Sequence, residues 1–156
     1  MSDVKLDDYD RSILDELQQD GRVTNVQLAS RVNLSESACL RRVRALENGG
    51  LIERYTAVID QRRAGLPDNV FVSITLQRQD QTDLQAFEEA VRSVPEVMEC
   101  YLMTGEFDYL LRVVVSDASD FERIHSRSLT CLPGVARVQS SFALRTVRKA
   151  NVLPLR

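Results

Sequence analysis

Arginines are the residues of this sequence best suited to chemistry, and they are concentrated in one segment. Residues 31–63 hold seven arginines against four acids, whereas residues 1–20 hold seven acids against two bases. Guanidinium groups bind phosphates and base edges, so a local basic segment suits nucleic acid although the formal net charge of the chain is −3. Arg41, Arg42 and Arg44 are equally compatible with a solvated helix face, so charge alone does not decide the matter.

Other chemistries have less support in the sequence. Cys39, Cys100, Cys131 and His125 are too few and too scattered for a zinc site, and no glycine-rich phosphate loop or nucleophile–base pair is present. We therefore assign no catalytic residue, no metal ligand and no cofactor. Two alternatives to an effector-controlled regulator stay open, namely a thiol-based redox-sensing DNA-binding regulator and, with less support, an enzyme of amino-acid metabolism.

Composition places the chain among ordinary globular proteins. It is 44% hydrophobic and 28% charged over 156 residues, which excludes collagen-like, mucin-like and largely disordered classes. No apolar run approaches the ~20 residues of a membrane-spanning helix, so we expect no membrane partner. The odd cysteine count, without a secretory signal, favours reduced thiols and a cytoplasmic location.

A helix-turn-helix is predicted in the first sixty residues. An aspartate cap near Asp7 begins a first helix, and Thr24 and Ser35 cap a second and a third. About four residues join the second helix to the third, and Asn33 tolerates the left-handed backbone that such a turn needs. Gly49-Gly50 ends the third helix.

The third helix is predicted to have one packing face and one polar face. At about 100° per residue, Cys39, Val43 and Leu46 share a side, with Ser37, Arg41 and Arg44 on the opposite side. Two short strands at 51–54 and 56–59 would form a wing. This arrangement is typical of a recognition helix in a major groove. The residues predicted to contact DNA are Ser35, Ser37, Arg41, Arg42, Arg44 and Arg54, with Arg62 as a further phosphate contact.

Beyond residue 69 the spacing of hydrophobic residues changes from the helical period to a period of two residues, which is typical of a strand. The order of elements is β-α-β-β-α-β, with predicted strands at 70–76, 98–104, 109–115 and 135–147. An internal repeat supports this order, because Val94-Pro95-Glu96-Val97 recurs as Leu132-Pro133-Gly134-Val135. Two helices on one face leave the other face of the sheet open, and we predict that it pairs with another subunit.

The expected fold class is α+β, with an N-terminal winged helix-turn-helix and a C-terminal ferredoxin-like βαββαβ effector-sensing domain. The predicted organisation places the DNA-binding domain at 1–60 and a charged linker containing Gly and Pro at 61–69. The ligand-sensing and oligomerisation domain follows at 70–147, and a C-terminal tail occupies 148–156.

The sequence resembles the Lrp/AsnC (feast/famine) transcriptional regulators over essentially its whole length. The matching residues are Leu6-Asp7-x-x-Asp10-x-x-Ile13-Leu14, Asn25-x-x-Leu28-Ala29, Leu34-Ser35-x-x-x-Cys39-x-x-Arg42-Val43-x-x-Leu46-Glu47 and Met103-Thr104-Gly105-Glu106-Phe107-Asp108-Tyr109. The resemblance implies a homodimer that binds a pseudo-palindromic operator in double-stranded DNA and assembles further, often to an octamer. It also implies a small amino-acid effector.

The resemblance further implies where that effector binds. Its site would lie between dimers, at residues Met103, Thr104, Gly105, Glu106, Asp108 and Tyr109, with Ser140 and Ser141 contributed by the neighbouring dimer. On the residues alone, Gly105 to Asp108 favours a hairpin turn with a capping residue, although Asp108 could also pair with an α-ammonium group. The segment from Ser140 to Ala143 resembles a subgroup that controls cysteine catabolism. Cysteine is therefore the first expected effector, ahead of branched-chain and basic amino acids.

Overall fold

The structure, a computed structural model, describes residues 5–155 of the chain. Within that range residues 5–58 and 147–155 form one compact unit, and residues 59–146 form a second. The segment predicted as a separate tail thus belongs to the first unit. In the described range, no helix combines the length and the hydropathy that crossing a bilayer requires.

Three helices make up most of the first unit, and all three predicted caps are confirmed. They are α1 (Asp8–Gln19), α2 (Asn25–Arg31) and α3 (Glu36–Asn48). The carboxylate of Asp7 accepts a hydrogen bond from the backbone of Asp10, the Thr24 hydroxyl accepts from Gln27, and the Ser35 hydroxyl accepts from Ala38. These side chains satisfy amides that a helix start would otherwise leave unpaired.

The turn between α2 and α3 has the backbone that its sequence predicts. Asn33 has a φ of 55°, in the left-handed region. Just beyond it, the backbone N–H of Leu34 donates to the carbonyl of Ala29 at 2.9 Å. Ala29 is 2% exposed, so the small side chain lies where the two helices approach closely. The turn and the helix contact together fix the direction of α3.

A small hydrophobic core joins the three helices. Its fully buried members include Ile13 of α1 and Cys39 of α3. The segment after α3 and the C-terminal segment complete it, since Ile52 and Leu155 pack against the same cluster. The backbone N–H of Leu153 donates to the Gln18 side chain at 2.6 Å, which fixes the returning chain to the end of α1.

The predicted strands of the wing do not form. Residues 51–60, all within the described range, contain no strand. One reason is geometric, because Tyr55 alone separates the two predicted strands and a hairpin needs at least a two-residue loop. Another is that the amides of Leu51 and Ile52 both donate to the Leu46 carbonyl, which completes the end of α3.

The second unit confirms the predicted β-α-β-β-α-β order. The elements are β1 (Asp68–Leu76), α4 (Gln81–Val91), β2 (Val97–Leu102), β3 (Tyr109–Val115), α5 (Ala118–Arg127) and β4 (Val135–Phe142). A short 3₁₀ turn, Leu129–Cys131, follows α5. The four antiparallel strands lie in the order β2-β3-β1-β4.

The core of this unit lies between the helices and one face of the sheet. Alternate residues of β1 and β3, such as Val72 and Leu111, are fully buried there against Phe87 of α4 and Ile124 of α5. The internal repeat has a structural counterpart, since its two copies end at the valines that begin β2 and β4. Each copy therefore brings the chain from a helix back to an edge of the sheet.

Two strands are shorter than predicted. β2 ends at Leu102 rather than Thr104, because the chain turns toward β3 there and the Met103 amide donates to the Asp108 carbonyl at 2.8 Å. β4 ends at Phe142 rather than Val147. Its partner β1 begins at Asp68, so pairing stops after the Ala143 amide reaches the Asn69 carbonyl.

The left-handed backbone at Asn33 gives a prediction for stability. Asn33→Val should lower the free energy of unfolding by about 1–2 kcal/mol, because a β-branched side chain clashes with the backbone at positive φ. Asn33→Gly should change it by less than about 1 kcal/mol, because glycine adopts this conformation without a clash. Urea denaturation measures both variants. Equal losses for valine and glycine would contradict the assigned backbone.

Candidate DNA-binding and effector sites

The exposed face of α3 carries three of the predicted DNA contacts. Ser37, Arg41 and Arg44 are all exposed, whereas Cys39 and Leu46 on the other side are buried. Among the described residues, neither Arg41 nor Arg44 forms an ion pair with a carboxylate. Their guanidiniums are therefore available to an anionic partner. The three side chains line a shallow depression of about 430 Å³.

Arg42 does not share this availability. One of its terminal nitrogens donates to carboxylate oxygens of Asp7 and Asp10, each at 2.8 Å, and its side chain is only 26% exposed. Its guanidinium also lies 5.3 Å from the centre of the Tyr9 ring. The predicted phosphate contact of Arg42 is therefore revised. This side chain attaches α3 to the start of α1, at the flank of the polar face.

The cluster around Arg42 gives a structural role to two acids near the start of the chain, Asp7 and Asp10. The backbone hydrogen bond from Asp10 and the Arg42 guanidinium hold the pKa of the Asp7 carboxyl below its ordinary value. Hydrogen bonds to Asp10 and Asp7 raise the pKa of Arg42. Both groups therefore stay charged at neutral pH, so the ion pair and the helix cap stabilise the same junction.

Of the other predicted DNA contacts, Ser35 and Arg54 lie near the two ends of α3, and Arg62 belongs to the second unit. Ser35 is exposed at the start of α3, where its hydroxyl accepts from Ala38 and lies 3.3 Å from the hydroxyl of Ser37. Arg54 is exposed in the extended segment after the helix, and Arg62 is exposed in the second unit. A hydrogen bond from the Tyr55 hydroxyl to Glu47, at 2.9 Å, holds the segment containing Arg54 against α3.

The predicted effector turn is an exposed loop between β2 and β3. Thr104, Gly105 and Glu106 are exposed, and Met103 is 37% exposed. Gly105 has a φ of +122°, and a Cβ added there would meet no atom within 4 Å. The glycine is thus required by backbone conformation, and the space around it is open to a small molecule.

Asp108 has a different role from the one predicted. It is 7% exposed, and its carboxylate accepts from the Leu76 amide and from the Gln79 side chain, both at 2.7 Å. These two bonds engage both of its oxygens at the end of β1. The expectation that Asp108 pairs with an α-ammonium group is therefore revised, because this carboxylate holds the loop against β1 instead.

Tyr109 also lies inside the protein. It is 1% exposed, its ring stacks on Phe87 with 4.4 Å between ring centres, and its hydroxyl donates to Glu88 at 2.9 Å. Burial, followed by the hydrogen bond to Glu88, raises the pKa of the tyrosine. We revise its predicted contact with the effector, since this side chain anchors the start of β3 in the core.

The two predicted serines of β4 do not face the same side of the sheet. Ser140 pairs with Val72 and Ser141 with Phe71, so they lie on opposite faces. Strand β1 also separates β4 from β3, which puts both serines away from the loop of the same chain. The two hydroxyls therefore lie on opposite sides of β4, and their contribution to the effector site of a neighbouring dimer stays a prediction.

The surroundings of two cysteines do not favour thiol-based redox sensing. Cys39 is fully buried, and burial raises the pKa of its thiol. Burial also raises the pKa of the Cys100 thiol, to about 11. Both groups are therefore protonated at neutral pH, which opposes the thiolate that redox sensing requires. Cys131 is exposed.

Sequence reasoning missed two contributors to these sites. Asn48 lines the depression on α3 together with Arg41 and Arg44, and it follows Arg44 by four residues, so helical spacing was sufficient to find it. Gln79 binds the carboxylate of Asp108 from a loop 29 residues earlier. That contact depends on the pairing of β1 with β3, so no local sequence pattern predicts it.

Comparisons with known proteins agree with both units. A model of winged helix-turn-helix DNA-binding domains matches residues 6–53, and a model of the Lrp/AsnC ligand-binding domain matches residues 69–153. The Bkd operon transcriptional regulator of Pseudomonas aeruginosa is 43% identical over 152 residues, covering 97% of this chain and 99% of that protein. The leucine-responsive regulatory protein of Escherichia coli is 41% identical over 151 residues, covering 97% and 92%.

Solved structures show the same arrangement of elements. A transcriptional regulator from Neisseria meningitidis, crystallised with L-Met, superimposes with a TM-score of 0.91 and is 37% identical, covering 96% of this chain and 97% of that one. An AsnC family regulator from Agrobacterium tumefaciens has a TM-score of 0.91 and is 36% identical, with the same shares of each chain covered.

The Asp7–Arg42 contact predicts a pH-dependent loss of stability. Asp7→Asn keeps a capping oxygen but removes the charge, so it should lower the melting temperature by a few degrees at pH 7. Because the pKa of Asp7 is lowered on folding, its stabilisation is complete above about pH 3.9 and is lost as the pH falls through the folded value. Melting curves of both proteins should therefore converge in acid.

Asp8→Asn is the matched control for this experiment. Its side chain is fully exposed, and its contact with Arg11 is 3.4 Å long and lies within one turn of the helix. This variant should lose less melting temperature at pH 7 than Asp7→Asn, because it removes only the interaction of an exposed first-turn acid with the helix dipole. A constant difference between wild type and Asp7→Asn from pH 7 down into acid would refute the ion pair.

Proposed function

The chain belongs to the Lrp/AsnC family of DNA-binding transcriptional regulators, and we propose that its α3 reads a specific operator in double-stranded DNA. The exposed face of α3 carries this proposal. Arg41 and Arg44 have no carboxylate partner in the described part of the chain, while the neighbouring Arg42 has two. Two arginines are thereby presented outward on a helix whose opposite side is fixed in the core.

The chemistry of the major groove matches these side chains. An arginine can donate two parallel hydrogen bonds to O6 and N7 of guanine, and a serine hydroxyl can donate or accept at base edges. We assign base contacts to Ser37, Arg41 and Arg44. Phosphate contacts go to Ser35 and, at the other end of the helix, to the exposed Arg54, with Arg62 as a further candidate.

A second copy of the chain is needed for useful affinity. One helix of 13 residues contacts only a few base pairs, so specific binding requires two half-sites about one helical turn apart. Both helices of the second unit pack on one sheet face. The other face presents Phe71, which is 40% exposed, and Tyr101, which is 51% exposed. We propose this face as the dimer interface, and further assembly to an octamer as the family resemblance implies.

The open face also carries a charged side chain. Arg112, 17% exposed, lies on it and donates to Glu99 at 2.8 Å and to Asn69 at 3.0 Å. Its charge is thus balanced before any partner arrives, which reduces the cost of burying it in an interface. A charge-neutral cluster among apolar residues supports the proposal that a second subunit covers this face.

The effector we propose is a free amino acid bound at the loop containing Thr104, Gly105 and Glu106. Because Asp108 and Tyr109 are engaged within the chain, the groups left to the ligand are the side chains and backbone of that loop. Cysteine is the effector that the sequence places first. The names of the relatives add leucine and methionine, so these three are the first compounds to test.

Arg41→Ala should weaken binding to a selected operator about thirtyfold or more, since each of the two half-sites loses a bidentate arginine–base contact that contributes about 1–3 kcal/mol of discrimination. Base preference at one position of each half-site should relax as well. Gel-shift titration against the operator and its single-base variants measures both effects, and size-exclusion chromatography should show an unchanged oligomer.

Arg127→Ala provides the matched control. Arg127 is also exposed but lies at the end of α5 in the second unit, so its loss should leave affinity and base preference unchanged. If Arg41→Ala binds the operator like the wild type, α3 does not read it through this residue.

An amino-acid effector should raise the melting temperature of the protein, because it binds the native state only. At a hundredfold excess over Kd the stabilisation is about 2.7 kcal/mol. Gly105→Ala should abolish that shift, because a side chain at a φ of +122° forces the loop into another conformation. Thermal-shift assays with cysteine, leucine, methionine and lysine make the measurement.

Gly65→Ala controls for backbone strain. Gly65 also has a positive φ, of +83°, and a Cβ there meets nothing within 4 Å, so the substitution introduces backbone strain outside the loop. It should lower the melting temperature and keep the ligand-induced shift. A full shift in Gly105→Ala would place the effector elsewhere.

A further inference from the structure

One apolar side chain lies among the polar groups of α3. Leu40 is 38% exposed. It borders the same depression as the residues assigned to base contacts, whose complete lining is Ser37, Leu40, Arg41, Arg44, Ala45 and Asn48. A large aliphatic group between hydrogen-bonding side chains has no polar function to perform there. A single exposed leucine on a protein surface usually indicates no function. Leu40 differs because it lies on the surface that we propose reads DNA.

Helix geometry places Leu40 beside the groups that read bases. It follows Ser37 by three residues and precedes Arg44 by four, so it neighbours both along the helix surface, at about 5–6 Å between Cβ atoms. At about 100° per residue it lies on the opposite flank of the polar face from Arg42. Successive base pairs are about 3.4 Å apart, so a separation of this size corresponds to neighbouring positions in a DNA site.

The major groove contains one apolar group, the C5 methyl of thymine. The other groups that distinguish base pairs on its floor are hydrogen-bond donors and acceptors, which an aliphatic side chain would desolvate without replacing their bonds. We infer that Leu40 packs against a thymine methyl in each half-site and so specifies thymine beside the base pair that Arg44 reads. This inference rests on the proposed insertion of α3 into the major groove.

Deoxyuridine tests the contact directly, because it pairs like thymidine and lacks only the methyl group. The full-length protein is first used to select duplexes from a random-sequence pool, which requires no knowledge of the natural operator. The best duplex is then resynthesised with each thymidine in turn replaced by deoxyuridine, in both half-sites together, and Kd is measured by gel shift.

At one thymidine position, replacement by deoxyuridine should raise Kd, whereas at the other positions it should not. Burial of one methyl corresponds to about a fourfold change in Kd, and two symmetric half-sites give roughly fifteenfold. Leu40→Ala should bind the thymidine and deoxyuridine duplexes equally at that position. Leu40→Gln keeps the length and the helix propensity of the side chain and should behave in the same way, so two variants report on the same loss. Far-UV circular dichroism and melting temperature check that both are folded.

Leu144→Ala is the control, since Leu144 is a fully exposed leucine in the second unit. It should retain the full preference for thymidine.

The outcomes separate the inference from the function on which it rests. If no duplex is enriched by the selection, the proposed operator binding itself fails. If duplexes are enriched and deoxyuridine is tolerated at every position, operator binding stands and the role of Leu40 is wrong. A preference for thymidine that persists in Leu40→Ala and Leu40→Gln also overturns the inference, because another residue then reads the methyl.

Discussion

The DNA-binding unit depends on one guanidinium, that of Arg42. This group lies between the carboxylates of Asp7 and Asp10, and so connects the middle of α3 to the first turn of α1. The same two carboxylates form the capping box that begins α1. This cluster of charges begins α1 and, together with the turn at Asn33 and the core, holds α3 in place. Within the described residues, Arg41 and Arg44 on the exposed side have no such carboxylate partners.

Local rules were sufficient for the helical half of the protein. Caps at Thr24 and Ser35 and a left-handed Asn33 all occur where the sequence predicts them, because each depends on residues within a turn or two. The order of strands in the second unit was predictable for a similar reason. Alternation of buried and exposed residues along β1 is a property of the strand itself. The repeat then indicated where the edge strands begin.

Contacts between distant residues were beyond the same reasoning. Arg42 was grouped with its neighbours because its partner Asp7 lies 35 positions earlier, and nothing near Arg42 signals that pairing. Asp108 looked available to a ligand because its bond to the Leu76 amide spans 32 positions and exists only once β3 has paired with β1. The wing was different, since there the predicted strands were joined by too short a connection.

The return of the chain to the first unit has a consequence for protein synthesis. Leu153 binds Gln18 across 135 positions, and Leu155 covers a core whose other members are encoded at the start of the sequence. Translation adds roughly 5–20 residues per second, so α1 to α3 are made several seconds before that cover exists. The whole sensing unit is translated in the interval. A nascent chain interrupted before that point therefore lacks a finished DNA-binding unit, so an incomplete regulator is poorly equipped to occupy an operator.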